Sequence, residues 1–136
     1  KHPFAYQARI RSVEQARDAL HNGYGVFCGS KYGTKGPRDK RGIWKFDYSW
    51  NHSMVWGACD DGVVLTDDLY FLVINSWGPW TSGGMPDWGP IPNGSGLVPS
   101  RDADWMIQNG ECYVIGDFQG FPARPLPDYG ARSFLG

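Results

Sequence analysis

After one amphipathic segment near its start, the chain breaks into short strand-like runs that are joined by turns rather than by long helices. The predicted strands cover residues 6–11, 24–29, 53–59, 69–75 and 111–118, with a short extra strand at 62–65. Successive strands without alternating helices favour hairpin pairing, which produces antiparallel ladders. The sequence therefore predicts an α+β fold: an antiparallel β half-barrel or sheet with one or two short helices.

The first helix is predicted from the residues at its two ends. Ser12 is a good N-cap residue, and Gln15 occupies the third helical position, where it completes a capping box. Apolar residues then recur at helical spacing over 13–21, so one face should pack on the sheet. Gly23 is placed to end the helix in the left-handed conformation.

A second short helix is predicted to run from Ser100 through Asn109. Ser100 is expected to cap its first turn, and Gly110 is expected to stop it. Trp105 and Met106 are expected to turn towards the core, which would fix this helix on the sheet.

Two long segments are predicted to be loops. Residues 31–42 hold five Lys or Arg against one Asp. A mobile, solvated basic loop is favoured over a contact with an anionic partner, because the charges are scattered along the segment. Residues 77–99 are rich in Gly and Pro and form a predicted loop insertion. Within it, Trp80 and Trp88 are candidate contacts to a substrate or a partner.

The chain is predicted to form one domain with a C-terminal arm. Residues 1–118 would make a β-rich half-domain, and residues 119–136 a Pro-rich extended arm that could serve assembly. A hydrophobic content of 41% supports a folded, soluble globule. The net charge of −1 argues against a nucleic-acid partner. No apolar run approaches the roughly 20 residues of a membrane span, so no membrane association is expected.

No metal and no cofactor is predicted. The histidines show no ligand spacing with the cysteines, the aspartates follow no calcium-loop pattern, and the glycines lack phosphate-loop spacing.

The three cysteines, Cys28, Cys59 and Cys112, each lie in or beside a predicted strand. This placement favours buried structural thiols over a disulfide framework. Free thiols would suit a reducing compartment or a buried position, and the localisation itself is left open.

Two short strings point to cysteine chemistry. Residues 75–78 read Asn-Ser-Trp-Gly after an apolar run, and residues 51–57 read Asn-His-Ser-Met-Val-Trp-Gly. In such chemistry a His serves as general base and partner of a thiolate, an amide orients its ring, and an indole keeps water away. His52, Asn75 and Trp77 are the candidates for these three roles.

The same strings resemble the C-terminal half of papain-like (C1-type) cysteine peptidases. In that family the His opens a strand, and the Asn lies in Asn-Ser-Trp-Gly at the end of the next one. The resemblance runs from about residue 6 to about residue 118, strongly at the two motifs and weakly elsewhere. It implies the family's right-hand, β-rich half-domain, with His52 and Asn75 as catalytic residues and Trp77 as their support.

The family's nucleophilic Cys has no counterpart in this sequence. That Cys begins a helix of the N-terminal half and follows a Gln that supplies an oxyanion-hole amide, and no such segment occurs here. Peptide-bond hydrolysis would therefore require a Cys from a missing N-terminal segment or another chain, with a peptide as substrate. The alternative is an inactive papain-fold structural or binding module, for example a component of a virus particle.

Overall fold

The computed structural model describes residues 7–47, 52–60, 69–75, 83–85 and 89–115. In chain order, the elements are β1 (Gln7–Ile10), α1 (Val13–His21), β2 (Val26–Ser30), β3 (Gly33–Lys35), β4 (Lys45–Asp47), β5 (His52–Asp60), β6 (Tyr70–Ile74), β7 (Ser95–Pro99), α2 (Ser100–Gln108) and β8 (Gly110–Ile115). The predicted strand at 62–65 and the predicted arm at 119–136 lie outside the described residues.

Six strands form one sheet in the order β1-β8-β2-β5-β6-β7, and every neighbouring pair is antiparallel. Strands β3 and β4 pair separately as a two-stranded ribbon. The prediction of an α+β fold with a mostly antiparallel sheet and two short helices is confirmed. Three strands were missed: β3 and β4 have only three residues each, and β7 follows sequence rich in Gly and Pro.

The start of α1 forms as its sequence predicts. Ser12 Oγ accepts a hydrogen bond from the Gln15 backbone N–H at 3.2 Å, and Gln15 Oε1 accepts one from the Arg11 N–H at 2.8 Å. Both side chains satisfy N–H groups that have no partner inside the helix. Gly23 has a φ of 81°, so the helix ends in the predicted left-handed turn.

The second helix departs from its prediction at two points. Pro99, rather than Ser100, is the N-cap residue, and no side chain caps the helix. Ser100 instead begins the helix, and its N–H donates to Leu69 O at 2.8 Å. Met106 is buried as expected, but Trp105 is 46% exposed and stacks edge-on against Tyr32.

Both helices pack on one face of the sheet and contact each other. Ala16 of α1 and Met106 of α2 belong to the same buried cluster as the inward side chains of the central strands. Trp56 and Phe71 lie at its centre, fully buried, with their rings 5.0 Å apart. The period-two alternation of β5 therefore points Met54 and Trp56 inward and Val55 outward.

The prediction that residues 31–42 form a solvated loop holds only in part. Four of the five basic residues are exposed, but the segment contains β3, and its Arg38 side chain is buried. Further along, Leu97 N–H donates to Gly42 O at 2.7 Å, and Trp44 N–H donates to Leu97 O at 2.9 Å. These bonds cover the outer edge of β7, and pairing of this kind protects an edge strand from other chains.

The predicted insertion at 77–99 is also only partly a loop. Its last five residues, Ser95–Pro99, form β7 and pair with β6 along its whole length. The leucine, valine and glycine of β7 are fully buried, so pairing and burial outweigh the loop-like composition.

The prediction of three free thiols is wrong for two of them. Cys28 and Cys112 are both buried and form a disulfide. They are direct partners in the ladder between β2 and β8. The sequence could not show this pairing, because the two residues are separated by 84 positions.

We expect alkylation of the denatured, unreduced chain to modify one thiol, that of Cys59, and alkylation after reduction to modify all three. Reduction should also lower the free energy of unfolding by roughly 2–4 kcal/mol, because the bond closes a long loop. Intact-mass measurement of the alkylated chain and urea titration check both statements. Three modified thiols without reductant would show that the bond does not form.

Candidate functional site

His52 is the first residue of β5, and it lies opposite Ser30 at the end of β2. It follows the same alternation as Met54 and Trp56, so its ring lies at the end of the buried face rather than on the outer one. The side chain is half-buried.

Asn75 directly follows β6 and is 6% exposed. Its Oδ1 lies 3.0 Å from Nε2 of His52, across the pair of strands β5 and β6. Its backbone N–H donates to Gly94 O at 3.0 Å. The two residues that the sequence singled out, 23 positions apart, are thus in direct contact.

The direction of this hydrogen bond sets the tautomer of the ring. An amide oxygen can only accept, so Nε2 of His52 carries the proton that the bond uses. In the neutral imidazole, Nδ1 is then the basic nitrogen. This arrangement can take a proton from a nucleophile at Nδ1 and stabilise the resulting imidazolium through Asn75.

The NH₂ group of the Asn75 amide makes no hydrogen bond to the described residues. Its Nδ2 is buried and has no hydrogen-bond partner among them. A buried N–H group without a partner costs about 1–3 kcal/mol. Buried polar atoms without a described partner also occur away from this site, at Thr34 and Trp56, so this feature does not by itself mark a functional site.

An open pocket of about 370 Å³ lies beside His52. Residues from the ends of β2, β5 and β8 line it, among them Gly29, Ser53 and Glu111. Pockets of this size accommodate a small ligand or one side chain of a bound peptide. No sequence motif indicated this pocket, because its walls come from three segments that meet only through the antiparallel pairing.

None of the three cysteines provides a nucleophile for His52. Cys28 and Cys112 are joined in the disulfide. Cys59 lies seven residues further along β5, which places it roughly 23 Å from His52 at the usual rise of a strand. No cysteine thiol of the chain therefore lies within reach of the His52 ring.

The remaining predicted site residues, Trp77, Trp80 and Trp88, lie outside the described residues. Within the described ranges, no group of three or more His, Cys, Asp or Glu side chains is arranged to hold a metal ion. No helix in that same part of the chain is long and apolar enough to cross a membrane.

Sequence reasoning missed Arg38, which it placed in a solvated loop. This residue is 8% exposed, and its guanidinium contacts the backbone at the start of β7. Its burial draws its pKa below the ordinary value, because the charged guanidinium loses contact with water. The flanking Gly36 and Pro37 suggest only a turn, so the sequence held no usable signal.

Comparison with protein-family models and with curated proteins found no match for this chain.

Proposed function

We propose that this chain is the His- and Asn-bearing half of a papain-like cysteine peptidase, completed by a Cys from a preceding segment or from another polypeptide. The observation that carries the proposal is the hydrogen bond between His52 Nε2 and Asn75 Oδ1. It joins the two residues that the papain-like motifs single out, at the ends of adjacent antiparallel strands. The all-antiparallel sheet with two short helices also agrees with the right-hand, β-rich half-domain of that family.

In the proposed reaction, the incoming thiol transfers its proton to Nδ1 of His52, and the thiolate attacks the carbonyl carbon of a peptide bond. The imidazolium then returns that proton to the leaving amine as the C–N bond breaks, which leaves an acyl-enzyme. Water, deprotonated by the same ring, releases the acid and restores the thiol. Asn75 holds the ring in the required tautomer, and the family resemblance assigns Trp77 the role of shielding their hydrogen bond.

The outer face of the sheet offers a surface for the Cys-bearing polypeptide. Phe27, Val55 and Ile74 are cross-strand partners in β2, β5 and β6, and each side chain is about 40% exposed. The next outward pair along β2 and β5 is Gly29 and Ser53, which lines the pocket beside His52. A polypeptide that covered this apolar row would therefore border the His52 pocket.

The second candidate function is an inactive papain-fold module that serves as a scaffold or a binding component. One observation favours it: no cysteine of this chain lies near His52 as an available thiol. A His and an Asn without a thiolate do not form an acyl-enzyme.

Mass spectrometry of native material, isolated through this chain, tests the proposal. We expect a Cys-bearing polypeptide in equal amount, or a preceding Cys-bearing segment on the same chain. Its thiol should react with an epoxide or vinyl-sulfone peptidase inhibitor. Material without such a partner or segment would refute the peptidase and leave the scaffold.

The same isolation tests the outer apolar row. If the partner is a separate polypeptide, Val55→Asp should reduce its recovery by about tenfold or more, because a charge would be buried against an apolar surface. Arg17→Asp introduces the same residue at an exposed position of α1, which lies on the other side of the sheet, and should leave recovery unchanged. Equal recovery with both variants would place the partner elsewhere.

A further inference from the structure

The side chain of Arg38 binds backbone carbonyls in a distant part of the chain. Its Nη1 donates to Pro92 O at 2.8 Å and to Ser95 O at 2.9 Å, and its Nη2 donates to Ile91 O at 3.4 Å. Its Nε donates to Gly83 O. A guanidinium has five N–H donors in a rigid fork, so one side chain fixes four backbone carbonyls at once.

The segment that Arg38 holds is a tight turn at residues 92–95. Ser95 N–H donates to Pro92 O at 3.2 Å, and the Ser95 hydroxyl donates to the same oxygen at 2.6 Å. Gly94 has a φ of 82°, a conformation that glycine adopts without strain. The Pro92 and Ser95 carbonyls at the two ends of the turn both accept from Nη1 of Arg38.

The same turn holds Asn75. Gly94 O accepts the backbone N–H of Asn75 at 3.0 Å, and Ser95 is the ladder partner of Ile74. The Asn75 side chain then reaches His52. Hydrogen bonds, joined by short stretches of covalent structure in the turn and in Asn75, therefore connect Arg38 to the His52 ring.

We propose that Arg38 is a positioning residue for the His52–Asn75 pair: it fixes the turn at 92–95, the turn fixes the Asn75 backbone, and the Asn75 amide fixes the tautomer of His52. The effect on the ring stands on the geometry of this chain alone. The effect on catalysis rests on the proposed peptidase function.

The test compares Arg38→Met and Arg38→Lys with the unaltered 136-residue chain by NMR. Methionine removes all the donors, and lysine keeps the charge but loses the planar fork. In both variants we expect amide exchange at Asn75 to accelerate at least about tenfold relative to that at Val73 in the middle of β6, because local opening needs less free energy. The ¹⁵N resonances of His52 should move from an Nε2-protonated ring towards a mixture of tautomers.

Met106→Ala is the matched control, since Met106 is buried in α2 and makes no part of this hydrogen-bond series. It should destabilise the whole domain and accelerate exchange at Asn75 and Val73 alike, without changing the His52 tautomer. Asn75→Ala is the positive control, because it removes the acceptor of the His52 bond. The ¹⁵N resonances of His52 in this variant show the largest tautomer change that loss of the hydrogen bond can cause.

Unchanged His52 resonances and an unchanged exchange ratio in the folded Arg38→Lys and Arg38→Met variants would overturn the proposal. If the Arg38→Met variant does not fold, the Arg38→Lys variant by itself tests the proposal. In the Cys-complemented peptidase, Arg38→Met should lower kcat/KM by about 10- to 100-fold, the size of effect expected from a misplaced catalytic group. A tautomer shift in a chain that never gains peptidase activity would refute the proposed function and leave the positioning role standing.

Discussion

Replacing His52 with alanine should abolish both peptide hydrolysis and inhibitor labelling in the Cys-complemented protein. We expect kcat/KM to fall by about 10⁴-fold or more, because one ring performs every proton transfer of the proposed mechanism. Labelling should fall as well, since the thiol would lose the imidazolium that stabilises its thiolate. Hydrolysis of a fluorogenic peptide and the rate of vinyl-sulfone labelling measure the two effects.

The matched control is His21→Ala, which removes a histidine at the end of α1, away from Asn75 and the pocket. It should retain activity close to that of the unaltered protein. Turnover that survives in His52→Ala would rule out the mechanism, whatever the behaviour of the control. The scaffold alternative predicts a third pattern, in which His52→Ala has no effect on assembly and no variant has peptidase activity.

Replacing Gly110 with alanine should cause a large loss of stability in this chain by itself. Gly110 faces Ser30 in the ladder between β2 and β8. An added Cβ would lie 2.1 Å from Gly29 O and 2.7 Å from Ser30 Cα. Both are backbone atoms of a central strand and cannot rotate away, so we expect a loss of about 3 kcal/mol in the free energy of unfolding.

Gly110 also lies at the candidate site, so its replacement should affect the site as well as the stability. Gly110 lines the pocket beside His52, and Ser30 is the ladder partner of His52. Forcing β2 and β8 apart there should also displace the pocket walls. Gly25→Ala is the control, because its Cβ would meet its nearest atoms at 3.9 Å, an ordinary contact distance. Chemical denaturation of both variants measures the difference, and equal stability would contradict the close packing of β2 against β8.

The sequence predicted most of the elements whose signals are local. The ends of α1 depend on Ser12, Gln15 and Gly23, whose partners lie within a few residues, and the structure has all three as expected. The central strands were predicted because alternation marks a half-buried strand over a short window. The pairing of β5 with β6 followed from the order of elements, since consecutive strands without a helix between them form hairpins, whereas the pairing of β8 with β1 and β2 joins strands far apart in sequence.

The candidate site was likewise predicted only in part. Sequence motifs singled out His52 and Asn75, and the pairing of β5 with β6 brings them to 3.0 Å. Their catalytic roles, and the support expected from Trp77, stay predictions. The pocket and its lining residue Glu111 were not foreseen, because Glu111 and His52 lie 59 positions apart and meet only through the ends of three strands.

By itself the sequence determined the α1 helix, the central strands and the choice of His52 and Asn75. Tertiary structure alone decided the burial of Arg38, the disulfide between Cys28 and Cys112, and the exposure of Trp105. The physical reason is the distance along the chain to the deciding partner. Caps and alternation are read from neighbouring residues, whereas the carbonyls that hold Arg38 lie 45 to 57 positions away.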